Sequence, residues 1–168
     1  MPKIIENLEQ RLKDAAKQQV WEYGYAEMTI RSVANACGIG VGTVYNYFPS
    51  KDALMAAWML DDWNECVKAM EEVSARADTA EKVARSIYDE LVDFAFRHAA
   101  IFRDEAAMMS FYKSYRRNHS VLRGQLAAPL RRFTDDDFGA EFAAESLLTC
   151  SMAGKEFDVI WEKLCKLF

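Results

Sequence analysis

Glycine and proline are scarce. The 168 residues hold seven Gly and three Pro, roughly half of what average usage supplies. That scarcity excludes collagen-like, loop-rich and many-turned all-β chains. The abundance of Ala, Leu, Glu, Met and Lys points instead to an all-α protein. Histidine is scarcer still, with two residues, and the four cysteines at Cys37, Cys66, Cys150 and Cys165 form no CxxC pair. A zinc centre needs about four clustered ligands. Neither a metal nor another cofactor is therefore expected, and the thiols read as small apolar packing groups. No apolar run approaches the ~20 residues of a membrane span. The charged start MPKIIENLEQRLKD lacks the apolar stretch of a signal peptide. A cytoplasmic protein with no membrane partner is expected. Nucleophile–base pairs and Glu-x-x-His metal motifs are missing too, so no enzyme is expected.

Charge is distributed unevenly. The net charge is −5, which excludes a globally basic nucleic-acid protein but not a local site. Residues 1–52 carry six cations and six acids, so the whole excess lies further on. The 24 residues 28–51 contain no Asp or Glu at all, where average composition supplies roughly three. An exposed face free of carboxylates is what contact with phosphate requires.

The periodicity predicts a first helix over 4–23, with Leu8, Leu12, Ala16 and Val20 on one stripe and Gly24 as its stop. Thr29 caps a short helix, TIRSVANA, whose apolar positions are Ile30, Val33, Ala34 and Cys37. The glycine cluster CGIGVGTVYNYF follows. It resembles a phosphate loop only superficially, because no β-branched strand precedes it and no Walker lysine follows. Two short helices joined by a glycine turn are the outline of a helix-turn-helix. The second helix is expected over about Val41–Tyr47 and ends before Pro49. Ser50 then caps a long helix. This division gives a helix-turn-helix domain over 1–49 and a helical domain over 50–168. Further helices are expected over 79–98, over 101–115, over 121–133 with Pro129 kinking or ending it, and from DDDFGAEF in one run to Phe168. His98 reads as a cation at a helix end.

Within the helix-turn-helix, Ile39, Val44 and Phe48 are expected to lock the second helix onto the first. That leaves Val41, Gly42, Thr43, Asn46 and Tyr47 outward. Thr43 and Asn46 suit base edges, since asparagine pairs bidentately with adenine and threonine touches the thymine methyl. Thr29, Tyr45, Tyr47 and Lys51 offer hydroxyls or an ammonium to phosphate oxygens, and Arg31 suits either task. For Tyr45 and Tyr47 core packing is the competing reading, and for Thr29 a plain helix cap.

Residues 29–54, TIRSVANACGIGVGTVYNYFPSKDAL, resemble the N-terminal signature of the TetR/AcrR family of bacterial transcriptional regulators. Thr29, Val33, Ala34, Gly38, Ile39, Gly42, Thr43, Val44, Tyr45, Tyr47, Phe48, Ser50, Lys51 and Leu54 carry the likeness. Cys37 stands where the pattern has alanine, and Gly40 where it usually has serine. The resemblance implies a three-helix DNA-binding head over 1–49, followed by a helical effector-binding and dimerisation domain over 50–168. The expected function is a regulator, acting as a repressor released from a palindromic DNA operator by a small apolar effector. A helical interaction or ligand-binding module without DNA is the alternative. For the effector, the aromatic and sulfur-bearing residues Trp58, Trp63, Phe94, Met108, Phe111 and Tyr112 are the candidates. For the homodimer interface they are Leu147, Gly154, Phe157, Ile160, Trp161 and Leu164 on the last helix, with Gly154 allowing close helix approach.

Overall fold

The computed structural model describes residues 7–168. Its elements are α1 (Leu8–Tyr23), α2 (Ile30–Cys37), α3 (Val41–Tyr47), α4 (Lys51–Arg76), α5 (Ala80–Arg97), α6 (Ala99–Phe102), α7 (Glu105–Leu130), α8 (Asp137–Met152) and α9 (Phe157–Leu164). Short 3-10 turns follow α7 and α9, and the described residues contain no strand. No helix among them is long and apolar enough to cross a membrane. The fold is all-α, with a helix-turn-helix head.

Two compact units divide these helices. The first holds the described residues up to Asp61 together with His98–Ser114. It is wider than residues 1–49, because it also takes in the first turns of α4, all of α6 and the start of α7. Its core combines Leu12, Ala16 and Val20 of α1, Val33 and Ala34 of α2, and Leu54, Met55 and Trp58 of α4. The second unit holds Asp62–Arg97 and Tyr115–Phe168. There α5 brings Val83, Ile87 and Leu91 against α8, and α9 packs on both. The α8 face that is buried is built from Ala140, Ala143, Ala144, Leu147 and Leu148. Small side chains let neighbouring helices approach closely.

Helix ends are capped by side chains. Asp104 accepts the Ala107 N–H at 2.8 Å at the start of α7, and Asp136 accepts the Phe138 N–H at 3.0 Å at the start of α8. The Arg132 guanidinium donates to the carbonyls of Ser74 and Ala77 at the end of α4. A cation there complements the negative helix terminus.

Two sequence expectations are corrected. The helices expected over 101–115 and 121–133 are joined across 116–120 into α7 (Glu105–Leu130), with Ile101 and Phe102 in α6 and Arg131–Phe133 in a 3-10 turn, and Pro129 lies one residue before the end of α7. A proline there removes a single late hydrogen bond, which costs little. The run to Phe168 is broken rather than continuous. Gly154 sits at φ +70°, with its N–H on the Ser151 carbonyl at 3.0 Å and the Lys155 N–H on that of Cys150 at 3.0 Å. This pair of bonds is the Schellman stop, so Gly154 turns the chain between α8 and α9 and offers no helix face. His98, read as a cation at a helix end, stands just past the end of α5 and is buried there, 1% exposed.

The turn makes a signed prediction. In a helix interior, Gly154→Ala would stabilise by about 1 kcal/mol. At positive φ it is expected to destabilise by about 1–2 kcal/mol, read as a lowered midpoint in urea unfolding.

Candidate nucleic-acid interface

The site is assembled from caps. Thr29 opens α2 in extended backbone and accepts the Ser32 N–H at 3.0 Å, while the Ser32 hydroxyl accepts the Thr29 N–H at 3.0 Å. This reciprocal pair is a capping box. The Ser32 hydroxyl also donates to Gln19 Oε1 at 2.6 Å, which ties the start of α2 to α1. At the other end Gly38 stands at φ +68°. Its N–H reaches the Asn35 carbonyl at 3.1 Å, and the Ile39 N–H reaches that of Ala34 at 3.0 Å. Arg11 of α1 adds a guanidinium on the Cys37 carbonyl at 3.1 Å. Burial pushes the Cys37 thiol up, against the opposing pull of Arg11, so this cysteine is a packing group as its residue type suggests.

A seven-residue helix such as α3 is unstable alone. It is held by Val44, fully buried, and by Phe48 just beyond its end. Everything else faces out. Gly42 and Asn46 are exposed, Val41 and Thr43 half-buried. Tyr45 is 52% exposed and Tyr47 45%, so the core reading of both fails. A Cβ at Gly42 would meet no atom within 4 Å. Arg31, in the first turn of α2, is exposed. Gly40 starts α3 with no side-chain cap.

Lys51, expected at phosphate, has partners within the chain. Its ammonium donates to the carbonyls of Tyr25 at 2.7 Å and Met28 at 3.0 Å, reaches that of Ala26 at 3.4 Å, and lies 4.0 Å from the Tyr25 ring centroid. With its donors so engaged it is a clamp on the α1–α2 loop. Beside it the Tyr25 hydroxyl donates to Asp52. Burial, and then the carboxylate of Asp52, push the Tyr25 pKa upward, which keeps the phenol protonated as donor. Sequence reasoning missed Arg11, whose partner is a backbone carbonyl that no motif displays, and the pairing of Tyr25 with Asp52, which lie 27 residues apart in the chain.

The effector candidates fall into both units. Trp58, Met108, Phe111 and Tyr112 belong to the first, where Trp58 stacks on His98 at 5.3 Å and Phe102 meets Phe111 at 5.2 Å. Tyr112 is 53% exposed. Trp63 and Phe94 belong to the second and meet edge to face at 5.7 Å. Of the interface candidates, Leu147, Phe157, Ile160 and Leu164 are buried in the second unit's own core, Trp161 is half-buried against Phe157, and Gly154 is in the turn. The free side of α8 carries Phe138 and Phe142 instead, stacked at 6.3 Å, with Thr149 and Met152.

Residues 12–58 match the family model described as bacterial regulatory proteins, tetR family. A fatty acid metabolism regulator protein of Bacillus subtilis is 29% identical over 72 residues, which are 42% of this chain and 37% of the relative. An HTH-type transcriptional repressor of Mycobacterium tuberculosis is 33% identical over 66 residues, 37% of this chain and 35% of the relative. The chain thus spans little more than a third of the length of the curated relatives it matches. Among solved structures, RolR without ligand has a TM-score of 0.64 at 23% identity, over 94% of this chain and 88% of that one. RolR is also solved in complex with resorcinol. FadR of Thermus thermophilus in complex with lauroyl-CoA has a TM-score of 0.65 at 18% identity, over 95% and 92%. These likenesses show the fold.

Lys51→Ala is expected to lower stability by about 1.5–3 kcal/mol, the value of charge-assisted hydrogen bonds, while leaving the salt slope of any DNA affinity unchanged. Loss of one unit of slope with stability intact would return Lys51 to the phosphates. Gly40→Ser is expected to raise stability by a few tenths of a kcal/mol, because the cap position is extended and open. Thermal unfolding reads both.

Proposed function

The head of this chain, residues 12–58, is that of the TetR family of bacterial regulatory proteins, and on that premise we propose a homodimeric transcriptional regulator that inserts α3 into the major groove of an operator. The observation that carries this reading is the outer face of α3. Thr43, Tyr45, Asn46 and Tyr47 project from a helix whose apolar side is fully spent on Val44 and Phe48, in a segment without a single carboxylate. Thr43 and Asn46 read base edges, with Val41 alongside, while Tyr45, Tyr47, Arg31 and the cap hydroxyl of Thr29 set the register on phosphates. Gly42 gives independent support. Exposed and in ordinary helix, it forgoes about 1 kcal/mol of helix propensity relative to alanine. Nothing in the chain would obstruct a Cβ there, so close approach of an external backbone is the reason that remains.

Residues 1–49 supply recognition and residues 50–168 the response. The response is release of the operator by a small apolar effector. Supporting it are the repressor name of one relative and the ligands held by structural neighbours, a phenol in RolR and an acyl-CoA in FadR. Dimerisation is assigned to the free side of α8. A two-fold pair of heads suits two half-sites one turn apart, ~34–36 Å. Phe138 and Phe142, 75% and 51% exposed, are the largest apolar surface on that helix, and a second copy is the occupant that covers both helices alike.

Selection of bound fragments from random DNA tests the whole reading: a palindromic consensus is expected, and unselective recovery would overturn it. On the selected site Asn46→Ala or Thr43→Ala is expected to cost about 1–3 kcal/mol and relax the preference. Gly42→Ala should raise the melting temperature while weakening the operator. Phe142→Glu should yield a folded monomer by sedimentation, whereas a charge at Ile160 would disrupt the second unit's own core.

A further inference from the structure

The two tryptophans of α4 are treated differently by the chain. Trp63, 6% exposed, donates its indole N–H to Gln125 Oε1 at 2.8 Å. Trp58, 5% exposed, has no hydrogen-bond partner for its indole N–H. Burying an N–H without an acceptor is costly, and phenylalanine would fill an aromatic position without that cost. Retention of tryptophan therefore points to an acceptor that is not part of the chain.

The surroundings define its chemistry. The Trp58 ring stacks on His98, 5.3 Å between centroids and 15° between planes, and His98 is itself 1% exposed. From His98 an edge-to-face row continues to Phe102 at 6.5 Å and on to Phe111 at 5.2 Å. Lys17 places its ammonium 5.8 Å from the Trp58 ring centroid. All of these lie within the first unit. A buried water needs two to four polar partners, and this row contributes mostly hydrocarbon edges. Aromatic edges and faces accept another ring. A donor N–H near a cation suits an oxygen with negative or partly negative charge.

Resting on the effector-responsive reading above, we propose that the Trp58 indole N–H is the hydrogen-bond donor anchoring a planar aromatic ligand with an oxygen acceptor, of the phenol or arene-carboxylate class. Trp58 is then a binding residue, and His98 the ring that orients it. The adjacent Trp63, already satisfied by Gln125, has no such task.

Resorcinol and benzoate are the probes. In spectra of the 15N-tryptophan-labelled wild-type chain, assigned by single Trp→Phe variants, either probe is expected to move the Trp58 indole proton downfield and leave that of Trp63 in place. Both are expected to raise the melting temperature of the wild type and of Trp63→Phe by several degrees, and that of Trp58→Phe by none. A Trp58 signal that both probes leave unmoved, with water as its only contact, overturns the anchor. So does an equal thermal response in Trp58→Phe, which places the ligand elsewhere, or a response to lauroyl-CoA alone, which removes the aromatic class. A gel shift run in parallel separates the two levels: DNA binding that persists beside any of these failures leaves the regulator reading standing.

Discussion

The position of α3 depends on one cation at the start of α4. Lysine in a first helical turn opposes the positive helix terminus, so the chain gives up some helix energy to keep Lys51 there. What it gains is closure of the α1–α2 loop. The carbonyls of Tyr25 and Met28 converge on the ammonium, and the Tyr25 hydroxyl returns the connection to Asp52. Asp52 also supplies the negative charge that the helix start prefers. The loop, the entry of α2 at Thr29 and the entry of α4 are thereby fixed together. Because the acceptors are backbone groups, the clamp constrains the path of the loop rather than its side chains.

Given that frame, α3 needs very little of its own. Val44 and Phe48 suffice to seat it, and the Schellman turn at Gly38 sets its angle of departure from α2. Six of its seven residues are then released from structural duty. The energy that holds the helix in place comes from one side, and the chemistry it presents comes from the other. This separation lets the outer residues change without unfolding the head.

Local signals were legible and relational ones were not. Thr29, Gly38, Val44 and Pro49 act within a few residues of themselves, so the helix-turn-helix and its boundaries could be read from spacing alone. Lys51 looked like a free cation because carbonyl acceptors are common to every sequence. Gly154 was ambiguous for a similar reason: glycine in an apolar run serves either close packing or a helix stop, and only the hydrogen bonds of Gly154 and Lys155 decide between them. On α8 both faces are apolar, so periodicity could not say which is inside. Side-chain size could have, since Ala140, Ala143 and Ala144 suit close packing against α5 while Phe138 and Phe142 do not. Fusion of the 101–115 and 121–133 segments into α7 rests on tertiary partners. His119 and Arg123 reach Glu145 and Glu141 of α8 at 3.0 and 3.3 Å, and these support a stretch, Asn118–Ser120, of weak helix formers.

The clamp and the orphaned indole lie on the same rigid element, seven residues apart, which is about 10 Å along a helix. That proximity limits what a ligand has to do. An effector shifts an equilibrium only by its differential affinity for the two states, and the ligand proposed at Trp58 would act on a helix whose start is fixed to the loop that aims α2 and α3. A displacement of α4 at Trp58 that the Lys51 carbonyl contacts can follow leaves the head intact, and one that they cannot follow strains it. Coupling of 1–3 kcal/mol corresponds to about 5- to 150-fold in operator affinity, and by reciprocity the operator weakens the ligand by the same factor. The tight clamp is therefore compatible with the proposed switching: a loose one would let α4 move without informing α3, and the binding energy of a ligand would be dissipated in the loop.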